Sequence, residues 1–180
     1  MTPEARRGIE PIKAAVLASF FDQSPEEQNQ LRLEFVEAAA AGGFRDIVPN
    51  EINCCQTVSR FVLMVLGEDP DILAVGRYFG AGIARMGQVC GALSGAAMAL
   101  GIRDYAQSRG WTTATRSPEA EGVQRMFSDF ADTFGGVTCK ELTGVDVSTL
   151  DGYNRFRQDN MNVRCKDYVA WAMDRVYELL

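Results

Sequence analysis

Apolar residues recur at the helical period along most of the chain, and the strict alternation of a half-buried strand is nearly absent. Ser24-Pro25-Glu26-Glu27 supplies an N-cap, a proline at the first helical position and a capping-box glutamate. The helix it opens runs to about Ala41 and stops at Gly42-Gly43. A weaker helix over roughly 4–21 precedes it, so residues 1–43 predict a helical hairpin. Asn53 is expected to cap a helix with the apolar stripe Val58, Phe61, Val62, Val65 and Leu66, ending at Gly67. Asp69-Pro70 opens a short helix to about Phe79, broken at Gly80-Ala81-Gly82. An apolar helix follows over about 86–106, with Gly87, Gly91 and Gly95 forming a smooth stripe. Ser117-Pro118 starts the next, with Val123, Met126, Phe127, Phe130 and Phe134 on one face and Gly135-Gly136 as its stop. Thr138 and Glu141 pair as a capping box around a short helix ending near Gly144. The stretch 145–161 is polar and reads as a loop. Asn162 is then expected to cap a last helix that buries Val169, Met173 and Val176, with Trp171 and Leu179 flanking.

The expected fold is therefore all-α, a compact helical bundle around a central glycine-striped apolar helix. Residues 1–45 read as an N-terminal helical hairpin extension and 46–180 as a cysteine-bearing domain, the two forming one structural unit. At 180 residues the chain buries enough surface for a core without staples. The longest weakly polar run, 86–102, has 17 residues, short of the roughly 20 that a membrane span needs. The glycine stripe suits close packing within the chain or against a second copy, which leaves a homo-oligomer open.

Histidine is absent, which removes Ser-His-Asp and Cys-His catalysis and every His-ligated zinc or haem site. Nucleophilic or metal chemistry then falls to the cysteines, the carboxylates or backbone amides. The net charge of −6 argues against nucleic acid or an anionic membrane surface as the main partner. Five cysteines are too few, and odd in number, for a secreted disulfide framework, and no signal peptide is legible. The chain reads as cytoplasmic, where thiols stay reduced unless they have a task.

The cysteines sit at the expected helix starts. Cys54 follows the Asn53 cap, Cys139 follows Thr138, Cys165 comes three residues after Asn162, and Cys90 falls in the first turn or so of the glycine-rich helix. A helix N-terminus carries unpaired N–H groups and partial positive charge, which lowers a thiol pKa. Short connections make successive helices antiparallel, so these starts are expected at one end of the bundle, where the four thiols can converge. Cys55, beside Cys54, reads as a packing residue. Arg155, Arg157 and Arg164 precede Cys165 and read as a solvated basic face, or as groups that lower its pKa or hold an anionic partner. Gly80-Ala81-Gly82 with Gly87 lacks the preceding strand that a phosphate-cradling loop needs.

Cys90-Gly91-Ala92-Leu93-Ser94-Gly95 is a CGAxxG motif, preceded by an Asn-Cys-x-Gln element and followed by two single cysteines. With these the chain resembles the C-GCAxxG-C-C family, whose redox assignment rests on its cysteine pattern. The likeness runs through Phe79-Gly80-x-Gly82-Ile83-x-Arg85-Met86-Gly87, Cys139-Lys140-Glu141-Leu142-Thr143-Gly144, Gly152-Tyr153, Phe156 and Cys165-Lys166-Asp167-Tyr168-Val169, covering about 50–180. Ala81 and Ala84 stand where the family commonly has glycine. The resemblance implies that Cys54, Cys90, Cys139 and Cys165 are the functional set, as catalytic thiols or as ligands if a thiolate metal centre forms.

Two chemistries suit that set: a dithiol–disulfide couple, or a metal or iron–sulfur centre passing electrons. Gaps of 35, 48 and 25 residues leave no C-x-x-C pair, so any centre is built by tertiary convergence. An iron–sulfur cluster, zinc and no cofactor at all stay open, and the sequence names no redox partner. The alternative is a structural or small-ligand-binding helical module in which the cysteines only pack.

Overall fold

In the computed structural model, residues 53–66, 70–108 and 118–180 are described. The N-terminal hairpin and the 45/46 boundary lie outside them, as do the Gly67 stop and the Asp69 and Ser117 caps.

The described residues are all-α, with helices α1 (Cys54–Leu66), α2 (Gly91–Ser108), α3 (Pro118–Phe134), α4 (Cys139–Thr143), α5 (Leu150–Gln158) and α6 (Asn162–Leu179). A 3-10 helix, Pro70–Tyr78, joins α1 to the glycine-rich segment before α2. None of these helices is long and apolar enough to cross a membrane.

The central layer is α2 on α1, with α6 packed against both and α3 laid on α6. The stripe expected on α1 is buried as Val58, Phe61 and Val62. It meets Leu93, Ala96 and Leu100 of α2 and Val169, Met173 and Val176 of α6, all within one core. Each such large side chain contributes roughly 2 kcal/mol by leaving water. Phe130 and Phe134 of α3 close the far side, their rings edge-on to Trp171 at 5.2 and 6.0 Å.

Close approach of α1 and α2 needs the glycines. A Cβ on Gly91 would lie 2.2 Å from the Cys54 sulfur, and one on Gly95 would lie 2.3 Å from the Cys55 carbonyl oxygen. The stripe is thus filled from within the chain. Gly87 is not part of it, because α2 begins at Gly91 rather than near Met86.

Residues before that start do something periodicity does not show. Ala81, Gly82, Ile83, Ala84 and Arg85 all have φ between +49° and +69°, one turn of left-handed helix. Each non-glycine residue there costs roughly 1–2 kcal/mol. Main-chain bonds hold the turn, among them Ala84 N–H to Tyr78 O at 2.7 Å and Gln88 N–H to Gly82 O at 2.9 Å.

Two further expectations are corrected. The stretch 145–161 is not a loop: Thr149 caps α5 by accepting the Gly152 N–H, and the helix runs nine residues. Asn162 is not a cap but the first helical residue of α6, preceded by Met161 at φ −61°, with no side-chain cap bond.

Candidate functional site

Three of the helix starts are fastened together by their own backbone and caps. Asn53 and Gln56 form a reciprocal capping box on α1, with Gln56 N–H to Asn53 Oδ1 at 3.1 Å and Asn53 N–H to Gln56 Oε1 at 3.2 Å. Cys90 immediately precedes α2, and its carbonyl accepts the Ser94 N–H at 3.0 Å. Thr138 and Glu141 form the expected capping box on α4, closed by Gly144 at φ +70°. Strapping the last two together, Cys90 N–H donates to Val137 O at 2.8 Å and Cys139 N–H to Gln88 O at 2.7 Å, around an isolated antiparallel bridge of Val89 with Thr138. The fourth start arrives with α6, whose Tyr168 hydroxyl donates to Leu142 O of α4 at 3.2 Å.

The result is one cavity of about 380 Å³, partly open to solvent, with Cys54, Cys90, Cys139 and Cys165 all in its wall. The rest of the wall is mainly apolar: Ala81 of the left-handed turn, Leu142, Val147, Tyr153, Phe156, Tyr168 and Val169, with Arg157 as its one charged side chain. All four sulfurs are unpaired thiols, and all interact electrostatically: Cys54 with each of the other three, Cys90 with Cys139 and Cys165, and Cys139 with Cys165. Cys55 is outside the wall. It is wholly buried with its sulfur 3.7 Å from the Met98 sulfur, the packing role expected of it.

The direction of the thiol pKa values reverses the expectation from helix starts. Burial pushes the Cys54 and Cys90 thiols up, and it lifts Cys139 to about 11. Cys165 goes up as well, by burial and then by the neighbouring Cys54 and Cys139. Backbone amides do oppose this: those of Ala81, Cys55, Cys54 itself and Gly91 donate toward the Cys54 sulfur, and that of Ala92 toward Cys90. They lose because a helix-end field is worth at most about 2 kcal/mol, whereas full desolvation shifts a pKa by several units. Arginines are absent from the causes acting on Cys165; Arg155, Arg157 and Arg164 are exposed, as a solvated basic face would be.

Among the described residues, no three Cys, Asp or Glu side chains converge closely enough to hold a metal ion as they stand. The sulfurs ring a space, with room for roughly a dozen water-sized groups, and do not meet at a point.

A family model described as "Putative redox-active protein (C_GCAxxG_C_C)" matches residues 52–179. The chain belongs to this C_GCAxxG_C_C family. No curated protein and no solved structure matches it. The four cysteines that give the family its pattern are the four in the cavity wall.

Sequence reasoning missed the far wall. Tyr153, Phe156 and Arg157 sit at i, i+3 and i+4 of α5 and face the cavity, yet their segment was read as loop. The signal was there in Thr149 as a cap followed by that spacing.

Proposed function

We propose that this C_GCAxxG_C_C protein is an electron-transfer protein whose redox centre is held by Cys54, Cys90, Cys139 and Cys165 as thiolates around an iron–sulfur group of more than one metal atom. The observation that carries the reading is the ring of four thiols around one apolar cavity at the amide ends of the helices. An iron–sulfur group is held by four thiolates and carries net negative charge with them; hydrogen bonds to sulfur tune its potential. That is the charge the N–H groups of Ala81, Gly91 and Ala92 favour. A bound cation removes the burial penalty that otherwise keeps these thiols protonated.

In this reading the chain's residues do four things. Gly91 gives the Cys54 sulfur its place. Amides donate to Cys54 and Cys90, and the apolar wall excludes water, which sets the potential. Leu142, Val147 and Val169 make the wall beside the sulfurs apolar, so few dipoles there reorganise as the charge changes. The left-handed turn brings Ala81 and its N–H over Cys54.

A second reading, dithiol–disulfide cycling, is favoured by the same burial, since a disulfide is neutral and has no thiolate to desolvate. It needs two of the four sulfurs to close to bonding distance. The cytoplasmic setting belongs to both readings.

The deciding experiment is anaerobic purification followed by a visible spectrum, iron and acid-labile sulfide analysis, and a thiol count. Visible absorption with stoichiometric iron and sulfide supports the cluster. A metal-free protein whose thiols disappear in pairs on mild oxidation replaces it with the disulfide couple. Five inert thiols and no metal would sink both.

A further inference from the structure

We infer that the mouth of the cysteine cavity is the docking site for the acidic face of an electron-transfer protein, an inference that rests on the redox reading above. The chain is acidic, with net charge −6. Yet the charge gathered at this opening is positive. Arg157 is the exposed member of the cavity wall, so it marks the open side. Arg85 comes from the left-handed turn and lies over the Tyr153 ring at 4.8 Å, and Tyr153 is itself a wall residue. Arg164, exposed on α6, acts electrostatically on Tyr168, another wall residue; Asp167 acts on the same ring with the opposite sign. Three arginines from three separate elements thus adjoin wall residues, against Asp167 and against Asp146 beside Val147, whose charge is taken up by Lys140 at 2.8 Å.

The apolar contact such an interface needs is beside them. Ile83, on the same turn as Arg85, and Met86, directly after it, are 41% and 59% exposed. Arginine and methionine over an apolar patch is the composition of a protein interface. The spread of the arginines over the turn, α5 and α6 is broader than a single small anion fills. Positive charge at the mouth steers an acidic partner to the one opening that leads to the sulfurs, and acts on the association rate. The step is an outer-sphere transfer: the partner is oxidised by one electron, the cysteine-held centre is reduced by one, and no bond forms or breaks.

The test uses the full chain as purified, with reduced flavodoxin as an acidic protein donor and reduced methyl viologen as a cationic one, followed by stopped-flow. At low ionic strength we expect the second-order rate with flavodoxin to fall as salt is added, although both proteins are net negative. Arg157→Glu should lower that rate about tenfold, and Arg157→Lys should keep most of it. Arg125→Glu makes the same change in net charge on an exposed α3 residue outside the wall, and should change it less than about twofold. Equal effects of Arg157→Glu and Arg125→Glu, or a flavodoxin rate that rises with salt, overturn the docking site while leaving the redox reading intact. So does a methyl viologen rate that falls as salt is added, since a cationic donor is attracted only by a negative mouth. A protein that neither donor nor dithionite reduces overturns the redox reading, and the docking site with it.

Discussion

The Cys54 sulfur occupies the place where a side chain at Gly91 would begin: a Cβ there would lie 2.2 Å from Sγ, 3.0 Å from the Cys55 amide nitrogen and 3.1 Å from the Phe79 carbonyl oxygen. Two of those three neighbours are backbone and cannot turn away. Gly91→Ala should therefore cost about 1–3 kcal/mol, the usual range for overpacking, and displace Cys54 from the cavity. Chemical denaturation of single and double variants checks this. In a Cys54→Ala background the same substitution should cost measurably less, because the nearest atom is gone. Equal costs in the two backgrounds would mean that the sulfur and the glycine are not coupled.

The raised thiol pKa values give the metal-free, reduced protein a definite pH dependence. Cys139 moves from 9.0 to about 11, and Cys55 from 9.0 to about 12. Both are held protonated by the fold more tightly than by the unfolded chain, so the stability they contribute is fully present below pH 9. It is lost as pH rises through the window from about 9 to about 11–12. Each thiol adds a slope of at most about 1.4 kcal/mol per pH unit within that window. Urea midpoints between pH 7 and pH 11 should fall accordingly, and alkylation of Cys139 at pH 7 should be much slower than that of a peptide cysteine. Flat midpoints above pH 9 would show that the thiols are solvated.

How far the sequence carried depended on how local each signal was. Caps are local, and Asn53 and the Thr138–Glu141 pair placed two helix starts to the residue. Those starts and antiparallel connections put Cys54, Cys90, Cys139 and Cys165 at one end of the bundle, where they can converge. The α5 helix escaped because the side chains it turns inward, Tyr153, Phe156 and Arg157, line a cavity and leave no apolar stripe. The left-handed turn was illegible because Ala81, Ile83, Ala84 and Arg85 carry no preference for that conformation. The direction of the thiol shifts was misjudged because desolvation is set by α6, α5 and the turn closing over the sulfurs, none of which a cap reveals.

That turn makes a prediction of its own. Ala84 is exposed and held at φ +49°, where glycine carries no penalty. Ala84→Gly should raise stability by about 1 kcal/mol, less what glycine gains in the unfolded chain. The denaturant midpoint reads it directly. A variant less stable than the parent would show that the turn is relaxed in solution.

Thr138 offers a test of how tightly a cap holds its cysteine. Its hydroxyl accepts the Glu141 N–H at 3.1 Å, and the Glu141 carboxylate in return accepts the Thr138 N–H at 3.0 Å. Those bonds hold the Glu141 carboxyl below the usual range, so this contribution is present above the unfolded pKa and is lost as pH falls. Thr138→Ala should cost about 1 kcal/mol and remove part of the acid sensitivity. An unchanged midpoint would place the hold on Cys139 in its own backbone bond to Gln88 O.

Adjacent cysteines give the sharpest separation of site from packing. Cys54 and Cys55 are successive residues of one helix, so their side chains diverge by roughly 100° around its axis. One enters the cavity wall and the other lies in the core against Met98. Replacing Cys54, Cys90, Cys139 or Cys165 singly by serine should each abolish or severely deplete the iron and sulfide bound per chain. Cys55→Ala should leave both unchanged and cost only stability, about 1 kcal/mol for the small volume lost. Iron and sulfide stoichiometry with the visible spectrum reads the first effect, and thermal unfolding of the metal-free proteins the second. If Cys55→Ala depletes iron as strongly as Cys54→Ser, Cys55 belongs to the site and its packing assignment fails. If all five variants bind iron alike, the cavity is not the centre.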